Sequence, residues 1–422
     1  MSPEHSGFPE QLLEPLPDGT WRTRPIDETL TLIHQDPSKA LELLLFALHH
    51  PTRSDVVIDA TVSYVADNDL STLATAALQV LREHPKHELA QRLVGCIGLQ
   101  RPTALHPHLQ SLFELRPNAR TAPETYPWRE SADLHLGFLS TYRWNEDVPL
   151  GERAAARERL LEVRSPLALQ RALAPESKPA SLDAMDRFRL QEVGFTLVDQ
   201  VFEAHYQDGS WHLTFAPEDF IFRSYQDPHH PTWALPSEPE DHAFGGELSD
   251  RTCGMCANPL HRLLSLDPVP ADLHVSITRL TLATCLSCLG WDGGVLFYQH
   301  DANGLPTSLN VQDPPEESEF PAGPLRAARV RLATTPPRWR WQEWGMSNGR
   351  ENLHRLGGYP SWVQSADYPE CPHCAQTMTF VLQLDSNLLT AEGEHWFWGS
   401  GGMAYAFWCS GCQISGMHWQ CT

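Results

Sequence analysis

Long apolar runs and lysine are in short supply in this sequence of 422 residues. No segment approaches the roughly 18 consecutive apolar residues of a membrane-spanning helix, so the sequence predicts none. Lysine occurs only at Lys39, Lys86 and Lys178. The first twenty residues are acidic and rich in proline, and they lack the apolar core of a secretory signal. We therefore expect the protein to work in the reducing cytoplasm.

Positive charge is scarce along the whole chain, which carries 31 lysine and arginine side chains against 53 aspartate and glutamate. The net charge is −6 over residues 1–178 and −16 over residues 179–422. Phosphate recognition needs clustered lysine and arginine, so the composition argues against nucleic acid and anionic membranes as partners. An acidic field steers basic proteins toward it, and we expect a basic protein partner. A merely soluble surface would explain the charge equally well.

Recognisable catalytic motifs are also missing. The sequence contains no phosphate-binding loop, no His-Glu-x-x-His and no Gly-x-Ser-x-Gly. The zinc deaminase signature requires Pro-Cys-x-x-Cys, but Glu370 stands where that proline would be. The sequence therefore predicts a protein that is not an enzyme and has no catalytic residues. An enzyme with an unrecognised site between two duplicated halves is an alternative.

Four Cys-x-x-Cys pairs, arranged as two quartets, are the strongest positive feature. Thiolates are soft ligands that suit zinc, and four of them close a tetrahedral site. The sequence therefore predicts two structural zinc ions, and their ligands are Cys253, Cys256, Cys285 and Cys288 for one and Cys371, Cys374, Cys409 and Cys412 for the other. Iron–sulfur clusters, disulfides and quartets formed across the two halves are alternatives.

Three further residues could be metal ligands by their type or by their position near the cysteine pairs. Cys421 follows the last pair closely and is interpreted as a spare thiol. His373 lies inside a Cys-x-x-Cys pair, where we expect a surface role. Cys96 lies on a predicted helical face and is expected in the core.

The surroundings of the two quartets are duplicated. The segment CGMCANPLHRLLSLDP, from Cys253, aligns without gaps with CPHCAQTMTFVLQLDS, from Cys371. Upstream, HAFGG at 242–246 matches HRLGG at 354–358. Apolar residues at every second position, from Met378 to Leu384, predict a strand with one apolar face. In each half we expect an antiparallel hairpin whose open end carries both cysteine pairs, so that one zinc ion clamps its base.

The second half also resembles a known family. GGYPSWVQ, YPECPHC, MTFVLQLD and GMAYAFWCSGC are similar to segments of the YwqG-like bacterial proteins and of the related C-terminal part of the programmed cell death protein 2 family. The resemblance covers roughly residues 240–422. It implies a β-rich, duplicated fold and a role in binding proteins. The first half departs from the pattern, because ELSD follows Gly246 where YPSWVQ follows Gly358.

The spacing of apolar residues over 1–178 predicts an α-helical domain. Asp36 is a plausible N-cap with Pro37 at the first helical position, and apolar residues follow at helical spacing. Further helices are predicted at 55–65, 88–98, 103–115, 150–162 and 165–173. A proline-containing linker at 174–181 leads to a β-rich domain over 179–422, with halves at about 185–310 and 324–422. The predicted fold class is α+β: an N-terminal helical stack, HEAT-like in style, followed by an internally duplicated, zinc-stabilised antiparallel β domain.

Aromatic residues offer a possible contact surface. The segment PRWRWQEWG at 337–345 alternates tryptophan with arginine, and further tryptophans and tyrosines follow. Such residues dominate binding hot spots when exposed, but on a strand Trp339 and Trp341 would share one packed face. We therefore expect Trp339 and Trp341 to be packed and not exposed. The other candidates for a contact surface are the acidic loops at 237–242 and 312–320.

These features together predict a zinc-stabilised protein that binds another protein. The family resemblance implies an immunity protein that occludes a polymorphic toxin domain. A chaperone or adaptor for a basic client, such as a ribosomal protein, is the alternative that the eukaryotic relatives suggest.

Overall fold

A computed structural model describes residues 8–115, 125–131, 136–175, 182–216, 230–233, 241–289, 294–318, 321–347, 350–386 and 388–422. Helices dominate its early part, and a large antiparallel sheet dominates the rest. The α+β prediction is therefore confirmed. The predicted boundary between residues 178 and 179 lies outside the described residues. None of the described helices combines the length and apolar character that a membrane crossing requires.

The chain divides into two compact units. The helical unit comprises Met1–Arg189 with the short segments His229–Pro231 and Pro337–Trp339. The sheet unit comprises Leu190–Pro228, Thr232–Pro336 and Arg340–Thr422. Two short segments that are distant in sequence therefore belong with the helices, which sequence patterning alone does not reveal.

Eleven helices occur in the described residues. They are α1 Phe8–Leu12, α2 Ile26–Gln35, α3 Ser38–His49, α4 Asp55–Val62, α5 Asp67–Glu83, α6 Glu88–Gln100, α7 Leu109–Leu115, α8 Leu136–Trp144, α9 Leu150–Val163, α10 Pro166–Leu173 and α11 Ala184–Glu192. A small sheet joins β1 Leu13–Pro15, β2 Trp21–Thr23 and β3 Thr52–Arg53. Consecutive helices pack together, α5 on α6, α8 on α9 and α9 on α10, as expected of a helical stack.

Local signals explain where several helices begin. Asp36 accepts hydrogen bonds from the Ser38 amide at 3.3 Å and the Ser38 hydroxyl at 2.6 Å, just before α3. Ser165 accepts from the Ala168 amide at 3.2 Å at the start of α10. The helix predicted over 103–115 is wrong in its first part. Two short 3₁₀ turns, Pro102–Ala104 and His106–His108, precede α7, since a proline inside each turn removes an amide donor.

In the part of the chain that the structure describes, the large sheet has twelve strands, and their pairings are antiparallel. They are β6 Ser210–Phe215, β7 Asp241–Phe244, β8 Glu247–Thr252, β9 Pro259–Leu266, β10 Leu280–Thr284, β11 Leu296–His300, β12 Pro306–Ser308, β13 Ala328–Thr334, β14 Arg355–Gly357, β15 Thr379–Asp385, β18 Met403–Cys409 and β19 Ile414–Gln420. Two hairpins stand apart: β4 Phe195–Val198 with β5 Val201–Ala204, and β16 Leu388–Leu389 with β17 His395–Trp396.

The strand order shows how the duplication is built. It runs β10-β9-β7-β13-β6-β14-β15-β18-β19-β11-β12, with β8 on β9. The two ends of the sheet approach each other, because the Thr281 amide of β10 donates to the Gly304 carbonyl, at 2.9 Å, beside β12. The sheet is therefore nearly closed, and β18, an interior strand between β15 and β19, is buried along its whole length.

The strands of the two halves interleave in the large sheet. β11, from the first half, pairs with β19 of the second half. β13, from the second half, pairs with β7 of the first half, and β6, from the first half, pairs with β14 of the second half. β6 and β13 also pair with each other along five residues. Neither half therefore completes its own sheet, and the duplicated halves fold as one unit.

Matching positions in the two halves have the same pairing. Phe244 faces Leu264 in the first half, and Leu356 faces Leu382 at the equivalent positions in the second half. In both cysteine-bearing hairpins the register shifts at one residue of the first strand, Leu263 in β9 and Val381 in β15. These two residues are equivalent in the gapless alignment. The bulge is thus part of the repeated design.

This bulge corrects one prediction. Met378, Phe380, Leu382 and Leu384 do not share one face. Met378 and Phe380 pack in a cluster of aromatic residues on one side of the sheet, whereas Leu382 and Leu384 pack in a leucine-rich core on the other. The extra residue at Val381 reverses the alternation, because strand side chains change face at each residue.

Candidate metal centres

The structure brings each cysteine quartet together within its own half. Ligand atoms of Cys253, Cys256, Cys285 and Cys288 all lie within 4.8 Å of one another, and so do those of Cys371, Cys374, Cys409 and Cys412. The Sγ atoms of Cys256 and Cys285 are 3.5 Å apart, and those of Cys374 and Cys409 are 3.7 Å apart. Both separations are far too long for a disulfide. The eight residues singled out in the sequence therefore form two four-thiol clusters that could hold metal ions.

The hairpins predicted between the cysteine pairs position these clusters. β9 pairs with β10, and Cys285 follows the last residue of β10 directly. β15 pairs with β18, which ends on Cys409 itself. In both halves the cysteine-bearing turns lie at the same end of the hairpin. A metal ion would therefore join the turn before β9 to the end of β10, and a second ion would join the turn before β15 to the end of β18.

The cysteine-bearing turns have matching backbone geometry. In the first half the Ala257 amide donates to the Cys253 carbonyl at 3.0 Å, and in the second the Ala375 amide donates to the Cys371 carbonyl at 2.8 Å. Ala257 and Ala375 both have positive φ, of 61° and 56°. Such a conformation is unusual for alanine, and the turn holds it in both halves. The turn directs two thiols to one point.

The spacing of the thiols fits a tetrahedral ion. With metal–sulfur bonds of about 2.3 Å, tetrahedral geometry places neighbouring sulfurs about 3.8 Å apart. The separations of 3.5 and 3.7 Å are close to this value. Burial raises the pKa of the Cys288 and Cys409 thiols to about 12 each. A bound cation would instead stabilise the thiolates, so that metal binding releases protons at these sites.

The two clusters differ in exposure, and this leads to a prediction. In the first cluster three cysteines are buried, whereas in the second Cys374 is exposed. We expect a chelator to remove metal from the second cluster first. Alkylation after brief chelation, mapped by mass spectrometry, should label Cys374 and Cys412 well before Cys253 and Cys256. Labelling of all four at one rate would contradict this order.

The other residues considered in the sequence lie outside the clusters. His373 is exposed, Cys421 is partly buried, and Cys96 is buried in α6. Neither His373 nor Cys421 belongs to a group of potential ligands in the described part of the chain.

The tryptophan-rich segment does not form a strand. It contains 3₁₀ turns at Pro337–Trp339 and Trp344–Met346. Trp339 is buried in the helical unit, where its ring lies 5.3 Å from that of His230. Trp341 is buried in the sheet unit beside Tyr359, at 5.7 Å. The packed interpretation is therefore confirmed for these two tryptophans, but through turns rather than through one strand face.

One acidic loop is attached to the first cluster. Residues 312–318 form an irregular, largely exposed segment; Phe320 and most of the predicted loop at 237–242 lie outside the described residues. The Gln312 amide donates to the Gly254 carbonyl, and the Glu316 amide donates to the Met255 carbonyl, each at 2.9 Å. The Ser318 hydroxyl donates to the Ser287 carbonyl at 3.1 Å. The loop is therefore bonded to both cysteine-bearing turns of the first cluster.

A polar network lies in the interior of the sheet unit, and no motif of the sequence predicts it. His212 contacts the Gln342 side chain at 2.9 Å and the Thr335 hydroxyl at 3.0 Å. Burial lowers the pKa of His212 to about 3 and that of Arg355 to about 9. No described carboxylate pairs with Arg355, which instead donates to the Ser361 hydroxyl at 3.3 Å. A partial signal existed in the sequence, since Arg355 lies inside the repeated motif that contains the Gly-Gly pair.

Comparisons with known proteins add little about activity. No family model matches the chain, and no solved structure matches it. The uncharacterised protein YpfL of Salmonella typhimurium is 29% identical over 189 residues. The match covers 40% of this chain and 39% of that relative, so the chain spans well under half of the relative's length.

Proposed function

We propose that this protein is a stoichiometric protein-binding protein, stabilised by two zinc ions, that neutralises a basic toxin domain in the cytoplasm as an immunity protein. Zinc is favoured because four thiolates at tetrahedral spacing suit it and leave no coordination position open for substrate. The metal ions would therefore have a structural role. The acidic loop at 312–318, held by both turns of the first cluster, carries the proposal.

The charge of this loop is suited to a basic partner. Asp313, Glu316 and Glu317 are exposed. No described basic side chain forms an ion pair with any of the three. Their field is therefore available to attract a positively charged surface, and the bonded backbone keeps them in place. The mechanism would be occlusion, in which the partner's basic active-site surface docks on this loop.

Neutralising the loop tests the proposal. We expect the triple variant Asp313→Asn, Glu316→Gln, Glu317→Gln to bind its partner with an association rate about tenfold lower at low salt, and to rescue growth poorly when co-expressed with the toxin. The matched control neutralises Glu203, Asp250 and Asp272, which are also exposed in the sheet unit. Its association rate should stay close to that of the wild type.

Candidate partners come from affinity capture in the native host, followed by expression of each captured protein alone. A captured protein that is toxic alone and harmless with this chain supports the immunity role. A captured ribosomal or other basic housekeeping protein that is harmless alone would contradict it and establish the chaperone alternative. Equal binding by the triple variant and the wild type would exclude the loop as the contact.

A further inference from the structure

Beside the first cluster the sheet unit has a cavity of about 380 Å³. One wall is the second cysteine-bearing turn of that cluster, at Leu286, Ser287 and Leu289. The hairpin β16–β17 and the end of β19 form the other walls. We call this cavity the tryptophan pocket, and its aromatic and acidic lining residues are Glu392, Glu394, Trp396, Phe397, Trp398 and Trp419.

The walls of the tryptophan pocket are fixed by hydrogen bonds. The Trp419 indole donates to the Leu289 carbonyl at 2.8 Å, and the Ala322 amide donates to the Ser287 hydroxyl at 2.9 Å. The Ala391 amide donates to the Pro324 carbonyl at 2.9 Å. The pocket is therefore preorganised, and its shape depends on the first metal cluster through Ser287 and Leu289.

The chemistry of the lining favours a cation. Phe397 is 46% exposed, and Trp396 and Trp419 are partly buried. Trp398 is buried and supports Trp396 edge to face, with ring centroids 5.5 Å apart. Aromatic faces attract cations, and tryptophan does so best.

Glu392 and Glu394 are exposed and form no ion pair with any described residue. Among the described lining residues there is no lysine or arginine, and His395 is the one basic residue. An arginine side chain meets these features, because its planar guanidinium both stacks on aromatic rings and bonds to carboxylates.

We propose that the tryptophan pocket receives an arginine side chain of the protein partner, with the guanidinium against the aromatic rings and the carboxylates of Glu392 and Glu394. This inference rests on the proposed function and deepens it. The acidic loop at 312–318 leads along the chain to Pro321–Gly323 at the pocket wall. The loop would attract the basic partner, and the pocket would anchor one residue of it.

Calorimetric titration of the full-length, metal-loaded protein with short peptides tests the pocket directly. We expect acetyl-Gly-Arg-Gly-amide to bind at least tenfold more tightly than the matching citrulline peptide, which keeps the shape and loses the charge. Phe397→Ala and the double change Glu392→Gln, Glu394→Gln should each weaken binding about tenfold. Phe188→Ala, at a helical-unit residue that is also 46% exposed, and Glu203→Gln should bind as the wild type does.

Equal binding of the two peptides, or no binding of either, would overturn the inference. Unchanged binding by the pocket variants would do so as well, and equal binding of a lysine peptide would contradict the assignment to arginine. Partner capture separates the two proposals. If the wild type and the pocket variants capture the same basic toxin equally, the pocket is not the anchor and the immunity role stands. If the wild type captures no toxin, the immunity role falls, while the peptide titration still decides the pocket.

Discussion

Replacing Cys371 by serine is expected to release one of two bound metal ions and to destabilise the sheet unit severely. Cys371 is buried within the second cluster and lies beside the start of β15. The apparent binding energy of a structural zinc ion is on the order of 10 kcal/mol, and it contributes directly to folding. Loss of the ion would release the turn that precedes β15 from the end of β18. Metal analysis and thermal unfolding of the purified variant measure both effects.

Cys421→Ser is the matched control, because Cys421 is a partly buried thiol outside both clusters. It should retain two metal ions and a free energy of unfolding within about 1 kcal/mol of the wild type. If Cys371→Ser keeps two ions and melts like the wild type, the assignment of the second cluster is wrong.

Adding a methyl group at the repeated Gly-Gly turn is expected to cause the second large effect. Gly357 has φ of 65°, and a Cβ there would lie 2.2 Å from the Gly209 carbonyl oxygen. Gly245, at the equivalent position, has φ of 63°, and its Cβ would lie 2.1 Å from the Arg326 carbonyl oxygen. Both the backbone conformation and the close approach exclude a side chain. We expect Gly357→Ala and Gly245→Ala each to reduce the free energy of unfolding by about 3 kcal/mol.

Chemical denaturation measures these changes, and Gly345→Ala provides the control. Gly345 is exposed in the sheet unit and does not have positive φ, and a Cβ there would meet no described atom within 4 Å. Its substitution should leave the free energy of unfolding nearly unchanged. If only one of the two turn variants were destabilised, the equivalence of the halves would fail at this position.

The sequence was informative wherever the responsible interactions are local. Spacing identified both cysteine quartets, since two residues between thiols already determine the turn that positions them. Alignment of the halves predicted β9 with β10 and β15 with β18, because each pair is joined by its own loop and clamped at its base. The helical spacing after Asp36 predicted α3 for the same reason.

Features that depend on contacts between distant parts of the chain could not be predicted from local sequence patterns. The pairing of β6 with β13 across the halves joins residues more than a hundred positions apart, such as Trp211 and Thr334, and no local pattern specifies it. The bulge at Val381 changes the face of every following residue, yet Phe380, Val381 and Leu382 are all apolar. The tryptophan pocket combines the first cluster with aromatic residues of the second half, so neither repeat predicts it alone.

Metal analysis combined with X-ray absorption spectroscopy on the protein purified from its host shows whether both cysteine clusters hold structural zinc. We expect two zinc ions per chain, each surrounded by four sulfur atoms at about 2.3 Å. Iron in place of zinc, one ion per chain, or a shell containing nitrogen or oxygen would contradict this expectation.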